Sequence, residues 1–499
     1  RDEDEIEPVE IAFEGIKRRL RLLTPMELNA SAEAISPDSK TLIFSASLSG
    51  RDNLWKLSLE EEKRDEPPKQ VTHTKGAKGR VAFTKNGKKL YYLDGGEITH
   101  RPFPDGKPKK LQVKAELDVD FHIEKRHMFQ EAWILIRDRF YDPEYHGLDW
   151  DAMRDRFMPL AAGAQTTEDL IDILNLMVGE LNSSHLGASS RGAAQHDGHL
   201  GLAFDPRAME QGRFVITTVL PDGPADVIEE PVRAGEVLTA IDGVELDART
   251  NLWELLQHKV GRRVRLTVTS DSGETRDAAV QPANGGMVGD LAYRAWVQWN
   301  ADAVTRISND RLGYVHIRAM QLENLRQFLI DLDTEAHSRE GVVVDVRYNG
   351  GGHIATFILD VLAKRDFVTS SYRGHVTTSS ANLAGDRILG KPTVLLTNGH
   401  SGSNAEMFSE GFRRLGLGKV VGTPTAGAVI WTGGWEFLDG SSFRLPRIRV
   451  ATAEGENLEL APRPVDVHVE RPLGEAARGV DSQLEKAVEV LLEEIDAGS

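Results

Sequence analysis

Ser403 lies in Gly399-His400-Ser401-Gly402-Ser403-Asn404-Ala405-Glu406, between two segments that would present a hydroxyl as a nucleophile. Upstream, the run Lys391-Pro392-Thr393-Val394-Leu395-Leu396-Thr397-Asn398 predicts a buried strand, because a short apolar stretch is closed by turn formers. Downstream, Phe408, Phe412 and Leu415 recur at i, i+4 and i+7, one face of an amphipathic helix. A serine at such a junction meets free amides and the positive end of the helix dipole, both of which favour developing negative charge. The competing reading is ordinary helix capping by Ser401 or Ser403.

Acyl transfer by serine needs a hydroxyl, a base, a group that orients the base, and donors for the oxyanion. For the donors, the backbone amides of Asn404 and Gly351 are the candidates. Gly351 belongs to Tyr348-Asn349-Gly350-Gly351-Gly352, a loop that follows the β-branched strand Gly341-Val342-Val343-Val344-Asp345-Val346-Arg347. No Gly-Lys-Ser/Thr follows these glycines, which argues against a phosphate cradle. For the base there are fifteen histidines. His400 and His353 are the nearest to the serine and to the glycine loop, and His185 lies far upstream. Triad members converge from distant segments, so nearness along the chain decides little.

Composition removes several other chemistries. Cysteine is absent, which excludes disulfides, thiolate metal sites and a cysteine nucleophile. The pair His196 and His199, three residues apart and without a clear third ligand, is a weak metal signal, and no metal is expected. Trp296, Trp431 and Trp435 read as core or pocket wall rather than a cofactor platform, and no cofactor is expected. The net charge of -17 argues against nucleic acid or an anionic membrane as partner. No apolar run approaches the ~20 residues that span a bilayer. Hydrophobic residues at 40% and charged residues at 27% describe an ordinary globular chain, and 499 residues exceed a single core.

Along the chain the patterns change four times. Residues 1–27 are an acidic N-terminal segment; the chain opens at Arg1 rather than Met, so its true N-terminus is expected further upstream. Residues 28–115 predict strands with a repeat. Ser36-Pro37-Asp38-Ser39-Lys40-Thr41-Leu42-Ile43-Phe44 matches Thr84-Lys85-Asn86-Gly87-Lys88-Lys89-Leu90-Tyr91-Tyr92 at an offset of 48 residues, which suggests β-propeller-like blades. Two blades cannot close a propeller, so the chain is a piece of a longer protein or the blades are a remnant. Residues 116–197 predict helices: Met128, Ala132, Leu135 and Ile136 share one face, and Leu170, Ile173, Leu174 and Met177 another. Residues 198–283 return to short strands, among them Phe214-Val215-Ile216-Thr217-Thr218-Val219, a run from Gly235 into the turn Asp242-Gly243, and a closing strand from Arg263 to Val268. They resemble a PDZ domain, with Gly201 and Leu202 at the carboxylate-binding loop and Gly223-Pro224-Ala225 before a short helix. That resemblance implies peptide capture by strand addition. Residues 284–499 alternate strands and helices as an α/β core. The expected fold is thus a multidomain α+β chain of blades, helical subdomain, PDZ domain and core.

Arg347-Tyr348-Asn349-Gly350-Gly351-Gly352, Ser403-Asn404-Ala405-Glu406 and the inserted PDZ-like segment resemble the tail-specific, or C-terminal processing, protease superfamily. Many of its members use a Ser–Lys dyad whose lysine follows Pro-Thr-x-Gly. Here Pro424-Thr425-Ala426-Gly427 is followed by Ala428, and no lysine occurs from Val420 to Ser442. The tricorn protease branch instead takes its base from a helical subdomain ahead of the PDZ domain. Ser184-His185 matches that feature in type, order and location. The resemblance therefore implies Ser403 as nucleophile, His185 as base and Ser184 as its neighbour. A glutamate completes the family's site, and Glu456 in Gly455-Glu456-Asn457-Leu458-Glu459-Leu460 is the better match, with Glu459 the competitor. The same resemblance implies peptide substrates and a homo-oligomer up to a hexamer. A cytoplasmic setting is the expectation, with a periplasmic or secreted one open because the N-terminus is expected further upstream. The alternative is a catalytically inactive PDZ and propeller scaffold that binds peptides.

Overall fold

A computed structural model describes residues 30–48, 51–63, 66–113, 118–190, 197–336, 338–365 and 389–498, with short stretches around them. It divides into two units, residues 1–119 and 120–499.

The first unit holds two four-stranded antiparallel sheets. One comprises β1 (Ala30–Ile35), β2 (Thr41–Leu48), β3 (Arg51–Ser58) and β4 (Lys69–Gln70); the other comprises β5 (Lys78–Phe83), β6 (Lys89–Asp94), β7 (Glu97–Pro102) and β8 (Lys109–Lys110). β1 and β5, and likewise β2 and β6, begin 48 residues apart. The repeat extends to side-chain chemistry. Ser36 Oγ donates to Asp38 Oδ1 at 2.5 Å and accepts from the Thr41 amide, as Thr84 Oγ1 donates to Asn86 Oδ1 at 2.8 Å and accepts from the Lys89 amide. Such Asx and ST turns fix where each second strand starts. Ile43, Leu54, Val71, Leu90 and Tyr92 form a core common to both sheets.

The second unit opens with α1 (Phe121–Arg139), α2 (Trp150–Gly163) and α3 (Thr167–Gly179). Asp120, Asp149 and Thr166 cap them, the last through a reciprocal capping box with Asp169. After α3 the chain forms β9 (Gly187–Ser189), which leaves the helices and pairs with a strand of the core. Next come β10 (Leu202–Phe204), α4 (Pro206–Glu210), β11 (Phe214–Val219), β12 (Val237–Ile241), β13 (Val244–Glu245), α5 (Leu252–Leu256), β14 (Val264–Thr269) and β15 (Thr275–Val280). Asp242 and Gly243 both take positive φ, as the tight turn between β12 and β13 requires. Two expectations are corrected. The strand set closes one strand later, at β15, because Arg276 alternates with buried Ala278 and Val280 and ties to Glu236 at 2.9 Å. The short helix expected after Gly223-Pro224-Ala225 is a series of turns, in which Ala225 is buried and hydrogen-bonded to Leu200 and Val232.

The core comprises α6 (Gly285–Ile307), β16 (Leu312–His316), α7 (Leu322–Ala336), β17 (Gly341–Asp345), α8 (Ala355–Ala363), the hairpin β18 (Thr369–Ser370) and β19 (Thr378–Ser379), β20 (Thr393–Thr397), α9 (Asn404–Arg414), β21 (Val420–Gly422), β22 (Ile430–Glu436), β23 (Ser442–Arg449), β24 (Val467–His468) and α10 (Ser482–Gly498). Five parallel strands run in the order β16-β17-β20-β21-β24. Val343, Val394 and Leu396 face α6 and α10, while Val342, Val344 and Leu395 face α7, α8 and α9. With both faces covered, β16, β17 and β20 are buried throughout, which is why they read as continuous apolar runs. Phe408 and Phe412 are fully buried as their spacing predicts, whereas Leu415 lies just past α9 and is exposed. No helix among the described residues is long and apolar enough to cross a membrane.

Candidate active site

The loops leaving the carboxyl ends of β17 and β20 meet at Ser403, the crevice position expected for ligands in an open parallel sheet. Ser403 caps α9 with φ 56° and ψ −120°, a backbone conformation that non-glycine residues rarely adopt. Such strain persists only where the surroundings over-determine it. Here the Ser403 amide donates to Ala428 O at 3.0 Å and to Glu406 Oε1 at 3.1 Å. The Gly402 amide donates to Asn349 O and the Ala426 amide to Ser401 O. Ser401 is fully buried and donates its hydroxyl to Val346 O at 2.8 Å, so its role is structural. Glu406 is the fastener beneath. Its buried carboxylate accepts from Thr425 Oγ1 and from the Gly427, Ala428 and Ser403 amides. Burial still pushes its pKa up against those four donors. Ala428, where the wider superfamily would carry lysine, serves through its backbone alone.

Gly351 approaches Ser403 so closely that a Cβ there would lie 2.5 Å from Ser403 Cβ and 2.8 Å from the Asn404 amide nitrogen. Its φ of 97° also demands glycine. The expectation that its own amide serves the oxyanion is corrected: Gly351 N–H donates to Asn349 Oδ1 at 2.9 Å. Asparagine commonly bonds its backbone two residues on, and this Asn349 is buried and anchored through Nδ2 to Ile317 O. The amides of Gly352 and Asn404 carry no acceptor among the described residues. Asn404 is the first residue of α9, whose amide no helical bond can satisfy.

His185, also at positive φ, is half-buried just ahead of β9. Its Nδ1 lies 2.9 Å from Ser184 Oγ, which lies 2.9 Å from Glu459 Oε2; Glu459 Oε1 accepts from the Ser184 amide at 2.6 Å. The carboxylate only accepts, so the single Ser184 proton points to Glu459 and Ser184 Oγ must accept from His185 Nδ1–H. That order leaves Nε2 as the bare nitrogen. Burial first, and the Arg444 guanidinium second, lower the His185 pKa, while Glu459 pulls the other way. The expectation for Glu456 is corrected. Its side chain is 72% exposed and turns to Arg414 at 3.7 Å, whereas Glu459 is 4% exposed. The stretch 450–457 turns back on itself through the bridge Ala451↔Asn457, which carries Glu456 outward and returns Glu459 inward.

The link between the segment that carries His185 and the wall of the Ser403 cavity is the pairing of β9 with β23. Gly187 sits opposite Arg444, and Arg444 walls the cavity that contains Ser403, Asn404 and Gly350 to Gly352. Of the rival histidines, His353 lines this cavity and His400 stacks on Tyr348 at 5.6 Å between centroids. Trp431 is half-exposed at the cavity wall, Trp435 packs on the helical core, and Trp296 sits edge-on to Tyr348.

A buried ionic knot went unnoticed in the sequence. Arg347, fully buried, donates to Asp345 at 2.7 Å and to Asp481 at 2.9 Å. Burial alone would raise the Asp345 pKa, but the guanidinium outweighs it and holds the carboxyl low. The knot anchors the glycine loop at its root, and a charged residue ending an apolar run was the signal.

In the PDZ-like segment, Gly201 takes φ 72°, and Gly201, Leu202, Phe204, Leu252 and Leu256 line an apolar groove of about 420 Å³ beside the edge strand β10. The His199 ring packs on Trp253, and His196 lies outside the described residues. No group of three metal-ligating side chains occurs among the described residues.

Three family models match in succession: the tricorn protease C1 domain at residues 121–179, the tricorn protease PDZ domain at 201–284 and peptidase family S41 at 311–469. Tricorn protease homolog 1 of Streptomyces coelicolor is 32% identical over 458 residues, 87% of this chain and 42% of the homolog. The chain belongs to the tricorn protease family. The tricorn protease of Thermoplasma volcanium is 28% identical over 487 residues, 91% of this tricorn-family chain and 44% of the relative. A crystal structure of the tricorn protease has the same fold, with a TM-score of 0.75 at 22% identity over 92% of this chain and 46% of that one. The tricorn-family chain thus spans less than half the length of these two relatives.

Proposed function

We propose that this chain hydrolyses peptides through an acyl-enzyme at Ser403. The observation that carries the reading is the Glu459–Ser184–His185 relay, in which a Ser184 hydroxyl committed to Glu459 favours the tautomer with Nε2 bare, just ahead of the strand paired with β23. His185 Nε2 takes the Ser403 proton as Oγ attacks the peptide carbonyl. The tetrahedral oxyanion is held by the Gly352 and Asn404 amides. The imidazolium then gives its proton to the leaving amine, and water repeats the sequence to free the acid. Ser184 and Glu459 do not touch the substrate. They are positioning residues that fix the tautomer and stabilise the imidazolium. Removing one oxyanion donor typically costs about 10²–10³ in rate, and backbone donors are lost only when the loop moves. The PDZ-like groove suits a peptide added as a strand to β10, with Gly201 and Leu202 at its terminal carboxylate.

The test is hydrolysis of a mixed peptide library by the chain and by Ser403→Ala. Turnover that disappears with Ser403→Ala supports the reading. Turnover that survives it assigns the nucleophile elsewhere, and peptide binding without any turnover favours the scaffold alternative.

A further inference from the structure

The cavity over Ser403 has a volume of about 310 Å³, and beside the glycine loop its walls include Gln321, His353, Met407, Trp431, Thr432 and Arg444. Among the described residues its lining has no carboxylate, although Asp and Glu outnumber Lys and Arg in this chain by 77 to 60. Arg444, on the exposed face of β23, is one of several arginines that pair with no carboxylate among the described residues, and it is the one that walls this cavity. Arg276, Arg311, Arg347, Arg413 and Arg414 each pair with a carboxylate at 3.0 Å or less. Arg444 has only Thr432, to which its Nε donates at 3.2 Å, and no carboxylate partner among the described residues. The protein around the guanidinium withdraws enough water to push its pKa down, with no anion to offset the loss. A guanidinium offers five donors in a planar fork that matches a carboxylate. Most of this fork is unspent, and it stands in the cleft where a peptide would lie. Two further arginines of β23, Arg447 and Arg449, likewise have no carboxylate partner among the described residues, so the strand presents cationic charge along its length.

We propose that Arg444 forms a carboxylate-binding subsite beside Ser403, so that the favoured peptides carry an acidic group close to the cleaved bond. The group is an Asp or Glu side chain or the α-carboxylate of the peptide itself; both present the same two oxygens to the fork. The subsite rests on the reading of Ser403 as nucleophile. Its contribution to selection is through binding; Arg444 carries no proton in the reaction, and its charge separately lowers the His185 pKa, so protection by the paired peptides is compared within each variant.

Occupancy of this cleft, as opposed to the PDZ-like groove, is read by how well a peptide protects Ser403 from a fluorophosphonate probe on the full chain. Competitors come in pairs: Glu against Gln at each position around the cleaved bond, and free against amidated C-terminus. One carboxylate-bearing member should protect about tenfold or more better than its neutral twin, the range of a charge-assisted hydrogen bond. Arg444→Met should equalise the pair while neutral peptides protect as before, and Arg444→Lys should restore part of the difference. The pair that shows the effect identifies the source of the carboxylate. No difference in the unaltered chain, or a difference that survives Arg444→Met, overturns the subsite and leaves the nucleophile standing. A chain that takes no probe at Ser403 overturns the nucleophile, and the subsite with it.

Discussion

At the scale of single residues, the site is decided by one carboxylate and one proton. Glu459 accepts from both the amide and the hydroxyl of Ser184, which commits that hydroxyl and, on the proposed mechanism, frees His185 Nε2 to act as the base. Glu459→Gln puts an amide where only an acceptor works, and kcat should fall by about 10²-fold or more, since a mis-set tautomer is costly. Glu456→Gln should leave kcat within about twofold, because an exposed ion pair contributes little. Steady-state rates for the two variants check both. The lowered His185 pKa sets the sign of the pH dependence. The base works when neutral, so activity should persist below the ordinary histidine value of ~6.5 and fall only as pH drops through the lowered one. In Arg444→Met the second cause of that lowering is gone, and the acid limb of kcat/KM should move to higher pH. The sequence could offer both glutamates but not choose between them. They are three residues apart in a loop, and the choice depends on the backbone reversal between Ala451 and Asn457.

At the scale of elements, two loops and a strand edge do the positioning. Asn398 Oδ1 accepts from the Tyr348 and His400 amides, which joins the loop after β17 to the loop after β20. Gly351 is the point of closest approach. Gly351→Ala would need a left-handed alanine and a Cβ inside Ser403, at a cost of about 1–3 kcal/mol. The outcome expected is a kcat lower by about 10²-fold with unchanged far-UV circular dichroism, since a displacement of about 1 Å is enough. The strands and helices around these loops were legible because their apolar periods are regular, as with Phe408 and Phe412 on α9 or the run from Val342 to Val344. The choice of amide was not. Nothing in Tyr348-Asn349-Gly350-Gly351-Gly352 announces that the Asn349 side chain turns back to take the Gly351 N–H, which leaves the Gly352 amide as the proposed donor.

At the scale of the whole molecule, pieces distant in sequence share one frame. β9 carries the end of the helical subdomain onto β23, and Asp481, ahead of α10, reaches back to Arg347 at the root of the glycine loop. Asp481→Ala leaves Arg347 with one carboxylate and strips α10 of the acceptor for the Leu484 amide. Breaking a buried pair of this kind costs about 3–5 kcal/mol. A lower melting temperature in calorimetry, with a loss of activity as the loop loosens, is the expected result; an unchanged melting temperature would show that Asp345 alone suffices. The order of blades, helices, PDZ domain and core could be read along the sequence, since each segment has its own period. The strand exchange that brings His185 beside the core could not, because three residues carry no periodic signal.

The central claim is that Ser403 is made nucleophilic by His185. Mass spectrometry of the full chain after fluorophosphonate treatment tests it most directly, with the adduct mapped and its rate compared in His185→Ala. We expect a single adduct on Ser403, formed at least about 10²-fold more slowly without the histidine. An adduct on another residue, or one that forms on Ser403 equally fast in His185→Ala, would contradict the account.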